Sequence, residues 1–287
     1  MKRVLVFLLA LCALAAFAAC AKAPDLEPTE PVANTEDYTT EAPETTPPGE
    51  TGPTETETET TAPESTTEAE TTEAAVTVPQ GTAAIVKFYN DAANNTRAHN
   101  NFTAEKHDVL DCNITEGFLT IVNGALNDLR KNETKKETFV NGKGVGNPGE
   151  TPAKFLPPGP GQFTYMSALQ AGWVKSASCA QNADGTFTVK LALKEETFLA
   201  KSETPKQHIS CMDVLDVDWN GLPFKVHDDT KGRNYDATIT ATVTKDGKLL
   251  NDLHIYEPVE VKGQVQVLIW ANITVAGYWK QDITFTY

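Results

Sequence analysis

Asp236-Ala237-Thr238-Ile239-Thr240-Ala241-Thr242-Val243-Thr244-Lys245-Asp246-Gly247-Lys248-Leu249 is the stretch that decides the fold. Ala237, Ile239, Ala241 and Val243 alternate with threonines, the period of two expected of a half-buried strand. Lys245-Asp246-Gly247-Lys248 then turns the chain into a further extended segment, Leu249–Val261. The same pattern precedes it. Phe187, Val189, Leu191 and Leu193 alternate with Thr186, Thr188 and Lys190, and the turn Asn182-Ala183-Asp184-Gly185 predicts pairing with Trp173–Ala180. Leu215, Val217 and Trp219 alternate with Asp216 and Asp218, which predicts another strand there. Downstream, Val265, Val267 and Ile269 predict a strand continuing through Ile273 and Val275. Gly277-Tyr278-Trp279-Lys280 precedes a last strand with Ile283, Phe285 and Tyr287.

Before this meander the period is helical. Thr82 is placed to cap a helix carrying Ala84, Ile85, Phe88, Tyr89, Ala92 and Ala93, fading near Asn94-Asn95-Thr96. Thr115 is placed to cap a second, with Phe118, Ile121, Val122, Ala125, Leu126 and Leu129 in one stripe that needs covering. Phe102–Cys112 is polar and ambiguous. Residues 131–161 carry Gly142, Gly144, Gly146, Pro148 and Gly149, then Leu156-Pro157-Pro158-Gly159-Pro160-Gly161, and predict a long surface excursion. Helices first and strands afterwards predict an α+β fold, with N-terminal helices packed on a twisted antiparallel meander.

The N-terminal third has a different composition. Lys2 and Arg3, the apolar run Val4–Phe17, and Ala18-Ala19 before Cys20 have the order of a secretory signal, so residues 1–19 are excluded from the fold. The chain's formal charge of −15 is concentrated in residues 21–80, which hold thirteen Glu, two Asp and one Lys. This Thr, Glu, Pro and Ala stretch has too few apolar residues to offset the entropy of ordering. Residues 20–80 therefore read as a disordered tether, or as a stalk with O-linked sugars on its threonines. Residues 81–287 carry a net charge of only −3, which points to neither a nucleic-acid nor an anionic-membrane partner. They are long enough for one domain.

Ala18-Ala19-Cys20 resembles the lipobox of bacterial lipoproteins, with Phe17 where leucine is usual. The resemblance implies that the chain is cut before Cys20, that its thiol is acylated with palmitate-type chains, and that the lipid holds the protein at the outer face of the cell membrane. Farther on, Cys179 before a strand, Asn182-Ala183-Asp184-Gly185-Thr186-Phe187-Thr188-Val189, and Ala237–Val243 followed by Thr244-Lys245-Asp246-Gly247-Lys248-Leu249 resemble a group of clostridial surface lipoproteins. That group has no established activity, and the resemblance implies a Gram-positive source. The order of elements is also similar to half-barrel lipid-carrier lipoproteins, in which a curved sheet cups an apolar ligand. This likeness is at the level of fold alone.

Motifs for chemistry are sparse. Asp216-Val217-Asp218-Trp219-Asn220-Gly221 matches the opening of a calcium loop, with Asp216, Asp218 and Asn220 as candidate ligands. Position 12 should be Glu and is His227, so a wet strand edge ending in an Asn-Gly turn is the stronger reading. His99, His107, His208, His227 and His254 lack ligand spacing. Gly-x-Ser-x-Gly, His-Glu-x-x-His and Ser-x-x-Lys are missing from the mature domain. The adjacent carboxylates Glu195-Glu196 define no cleft. Asn-x-Ser/Thr sites at Asn94, Asn101, Asn113, Asn132 and Asn272 matter little behind a bacterial lipobox.

Cys112, Cys179 and Cys211 leave open one bridge plus a thiol or three buried thiols. Among Trp173, Trp219, Trp270 and Trp279, Trp270 is the one whose exposure would point to function. No cofactor is expected. The chain thus reads as a membrane-anchored, non-catalytic module binding an apolar small molecule. Its rival is an envelope protein meeting a protein or glycan through an exposed apolar patch, and a hydrolase is third.

Overall fold

Alternation along Phe102–Glu116 helps organise the molecule, because this strand is paired on both sides within the sheet. The computed structural model describes residues 76–117, 120–159, 166–215 and 217–287, all within one compact unit, Ala69–Tyr287. The chain runs α1 (Thr82–Ala98), β1 (Phe102–Glu116), α2 (Thr120–Leu129), β2 (Lys131–Val140), β3 (Lys143–Gly144) and α3 (Pro152–Phe155). There follow β4 (Val174–Gln181), β5 (Phe187–Leu193), β6 (Glu196–Leu199), β7 (Lys225–Val226), β8 (Lys231–Asn234), β9 (Thr238–Val243), β10 (Leu250–Gln266) and β11 (Trp270–Thr286).

The described strands form one open sheet, ordered β3-β2-β1-β11-β10-β9-β5-β4, with β7 and β8 also on β10 and β6 on β8. Every pairing is antiparallel. The fold is α+β with few helices. Pro258 falls inside the long β10 without breaking it. On that side β10 pairs with β9 as far as Tyr256 and with β8 from Val259, so the missing N–H lies where the neighbour changes.

The hairpin turns read from Asn182–Gly185 and Lys245–Lys248 are where they were placed, and Ala237–Val243 is buried at every second residue. Other expectations are corrected. Thr115 caps no helix. It lies in β1, and α2 begins at Thr120, while Phe118 falls outside the described residues. Gly81, not Thr82, occupies the N-cap of α1, without a side-chain cap.

That helix also runs through Asn94–Thr96 to Ala98, because its polar residues have tertiary partners. Asn94 Nδ2 donates to Ser167 O at 2.9 Å, and Leu250 N donates to Thr96 Oγ1 at 2.8 Å. The excursion at 131–161 contains β2, β3 and α3. Phe155 and Leu156 are buried in the main core, and residues 160–165 lie outside the described residues.

Leu215–Trp219 forms no strand among its described residues, since no neighbouring strand offers it hydrogen bonds. Finally, β10 and β11 are continuous through Lys262-Gly263 and Gly277, and the reversal comes at Val267-Leu268-Ile269. Gly277 allows a close approach: a Cβ there would meet Asp111 O and Cys112 Cβ of β1.

One face of the sheet carries two separate apolar clusters. The larger joins Ile85, Val86, Tyr89, Ala92 and Ala93 of α1 to Phe187, Val189, Leu191, Ile239, Ala241, Leu253, Ile255 and Ile283, with Phe155, Leu156 and Met212. The rings of Phe88 and Phe187 meet edge to face, with centroids 5.5 Å apart. The smaller holds Cys112, Val122, Leu126, Val226, Val265 and Ile273.

Between the clusters a polar belt crosses the strands. Asp108 of β1 stands opposite Gln281 of β11, and Glu257 of β10 stands beside Asn234 of β8. Ala104, Ile283 and Ile255 lie on one side of this belt. Cys112, Ile273 and Val265 lie on the other.

Candidate ligand cavity

Below the belt β1, β10 and β11 extend past the main core, and their inward residues line a cavity of about 100 Å³. Its floor is Leu110 and Cys112 of β1, Ile273, Val275 and Gly277 of β11, and Val259, Val261, Gly263 and Val265 of β10. Val122, Ala125, Leu126 and Leu129 of α2 form one wall at helical spacing. Leu215, Val217, Trp219, Leu222, Phe224 and Val226, from the segment before β8, close the other. The alternation seen at Leu215, Val217 and Trp219 is therefore real, but it faces a cavity in place of a paired strand.

Among the lining side chains only the Cys112 thiol is ionisable, and burial raises its pKa. Its Sγ lies 3.8 Å from Leu126 O. Thr230 also lines the space, and its buried Oγ1 has no hydrogen-bond partner. A cavity of this character stays dry and admits apolar guests; one of about 150 Å³ takes benzene.

Trp219, Leu222, Phe224 and Val226 form a wall shared with an open cleft of about 1000 Å³. Lys201, Asn220, Lys225, His227, Asp228 and Gln266 supply the cleft's polar groups, and Val267 and Trp270 its far side. Lys201 Nζ donates to Val226 O at 3.0 Å and to Asp228 Oδ1 at 2.5 Å. The Trp270 ring, 42% exposed, meets the His227 ring edge to face at 5.3 Å.

The belt above the cavity holds the buried carboxylates Asp108 and Glu257. Gln281 Nε2 donates to Asp108 Oδ1 at 2.8 Å and to Asp213 Oδ2 at 2.9 Å, so one amide bridges two carboxylates. Burial acts to raise the Asp108 pKa, but Lys106, the Gln281 amide and Lys131 outweigh it and hold the carboxyl below its ordinary value. Among the described residues no cation acts on Glu257. Burial, reinforced by Asp213, pushes its pKa well above the usual range, while Asn234 Nδ2 donates to its Oε1 at 2.5 Å. His208 Nδ1 meets Glu196 Oε2 at 3.0 Å; His208 is fully buried, and Glu196 lines a separate open cleft of about 610 Å³. Asp108, Glu257 and His208 are at most 4% exposed.

The residues singled out in sequence do not converge. Cys20 and Asp216 lie outside the described residues. Asp218 Oδ1 accepts the Asn220 N–H at 3.1 Å, an Asx turn in which the carboxylate serves the backbone. Among the described residues no cluster of His, Cys, Asp and Glu has the geometry to hold a metal. Cys112, Cys179 and Cys211 are all free thiols. Trp173 packs on the main core, and Trp279 Nε1 donates to Asp108 Oδ1 at 3.4 Å beneath Lys131.

The cavity itself was not visible in the sequence. Its walls come from five distant segments, each with an ordinary core pattern. Comparison of the chain with known protein families, curated proteins and solved structures finds no match.

Proposed function

We propose that this protein is a non-catalytic binding module for an apolar small molecule, held at the outer face of the cell membrane by a lipid on Cys20. The observation that carries the reading is the cavity beneath α2, whose lining is apolar but for isolated polar groups. Ligand sites are concave and mostly apolar, whereas catalysis needs polar groups converging on one point. In this reading the long strands and α2 act as a half-barrel-like cup. Its volume, below the about 150 Å³ of a cavity that takes benzene, suits a short stretch of hydrocarbon chain.

An exposed apolar patch would favour an envelope interaction protein, and one is present at Val267–Trp270. It adjoins the wall of the cavity without replacing it, so both features belong to one end of the molecule.

Thermal denaturation in the presence of a series of n-alkanols tests the reading. A ligand that binds only the folded state raises the midpoint, by about 2.7 kcal/mol of stability at a hundred times its Kd. The wild-type chain is expected to show a saturable rise. Ala125→Phe, which fills the cavity from α2, should lose it while remaining folded. Equal responses from the two proteins would remove the basis of the proposal.

A further inference from the structure

The reversal between β10 and β11 is made by Val267-Leu268-Ile269, with Gln266 and Trp270 as the last paired residues. Short hairpin loops ordinarily use glycine, asparagine or aspartate, and this one has none. Leu268 is 90% exposed and Ile269 79%, with Val267 and Trp270 at 45% and 42%. Four consecutive exposed apolar residues are disfavoured unless something covers them.

We propose that this hairpin tip inserts into the surface of a lipid bilayer. The inference rests in part on the anchor reading of Cys20, and three features support it. The tip is convex and two or three residues wide, so a protein partner would need a fitted groove, whereas a bilayer receives a wedge of any outline.

Polarity also changes along the ribbon in the order found across a membrane surface. Aliphatic Leu268 and Ile269 come first, then Trp270, then a polar zone where Gln264 Nε2 donates to Asn272 Oδ1 at 3.0 Å. Tryptophan favours the boundary between hydrocarbon and headgroups. At about 3.3 Å per strand residue, the Gln266–Trp270 pair lies about 7 Å behind Leu268, within the 5–10 Å depth of interfacial insertion, and the polar Gln264–Asn272 pair, about 13 Å behind it, stays outside that depth.

The third feature is where the rest of the chain ends. Residues 21–75 join Cys20 to the described domain, a covalent link of at most about 180 Å. A lipid at one end and an apolar tip at the other supply the two signals that stable membrane attachment requires.

Behind the tip the charges are mixed. Lys225 stands opposite Gln266 and Lys231 opposite Lys262, while Glu116, Asp228 and Asp229 lie nearby. Attachment is therefore apolar in origin and nearly independent of anionic lipid. Val267 and Trp270 also border the cleft outside the cavity wall, so docking opens that cleft towards lipid.

The test uses the full chain made in its host, so that residue 20 carries whatever the cell attaches. The chain is mixed with neutral phosphatidylcholine vesicles whose acyl chains are plain or brominated, bromine being a short-range quencher of tryptophan. Quenching is expected in the wild type and largely lost in Trp270→Phe. Leu268→Asp combined with Ile269→Asp alters only exposed side chains, and should weaken vesicle partition by at least about tenfold. Added salt should change partition less than about twofold.

A vesicle-bound chain with equal emission in plain and brominated lipid overturns the proposal. A mass showing residue 20 unacylated refutes the anchor alone. Partition of that unacylated chain, wild type against the double variant, still decides the tip, and equal values overturn it.

Discussion

The two apolar compartments on one face of the sheet share their strands but not their packing. Above the polar belt, Tyr89, Phe187, Leu191, Ile239 and Ile283 are at most 2% exposed, and α1 meets them with a continuous stripe. Below it the buried cluster has six members, each 3–9% exposed, and α2 contributes only Val122 and Leu126 to it. The lower compartment keeps about 100 Å³ unfilled. The comparison teaches that the upper end supplies stability, whereas the lower end has a shape that stability does not require. Between them Asp108, Gln281, Glu257 and Asn234 keep the upper core from sliding into the lower space, since moving any of them would strand a buried polar group.

Truncation gives the largest contrast. Leu191→Ala in the upper compartment should lower stability by about 4–5 kcal/mol, and Leu126→Ala at the cavity wall by about 2–3 kcal/mol, read by urea unfolding. Equal losses would break the distinction. Enlargement sharpens it further. Ala241→Leu, at a fully buried upper site, should cost about 2–3 kcal/mol, while Ala125→Leu should stay within about 1 kcal/mol of wild type or exceed it.

The belt gives the smallest effect, and its sign depends on pH. Glu257 has a raised folded-state pKa, so its charge opposes folding as pH rises through that value. Glu257→Gln should therefore stabilise on the order of 1 kcal/mol at neutral pH, the gain fading once pH falls below the ordinary glutamate range. Asp108 has a depressed folded-state pKa and works the other way. Asp108→Asn should destabilise at neutral pH, with the difference vanishing as acid protonates the wild-type carboxyl. Denaturation midpoints from about pH 2 to about pH 8, which spans both the ordinary carboxylate range and the acid side of it, check both signs.

What the sequence revealed follows the same division. The upper strands were readable because Phe187–Leu193 and Ala237–Val243 alternate cleanly and end in glycine turns. β1 was not, because Lys106 and Asp108 occupy two of its inward positions and interrupt the alternation that Phe102, Ala104, Leu110 and Cys112 otherwise keep. β2 looked like loop because it is the outer neighbour of β1, and only Glu137 and Phe139 turn fully inward. The turn at Val267–Ile269 carries no turn-forming residue, so nothing local in the sequence separates the two strands there. The cavity left no local signature at all. A cavity is a property of how segments distant in sequence fail to meet, and each segment alone looks like core.

The most direct test of the central claim, that the lower compartment holds an apolar ligand, is native mass spectrometry of the full chain purified from its host, before and after organic extraction. The account predicts a retained small mass that extraction releases and that Ala125→Phe never acquires. A wild-type chain that emerges at its bare polypeptide mass before extraction, apart from any acyl group on Cys20, would contradict it.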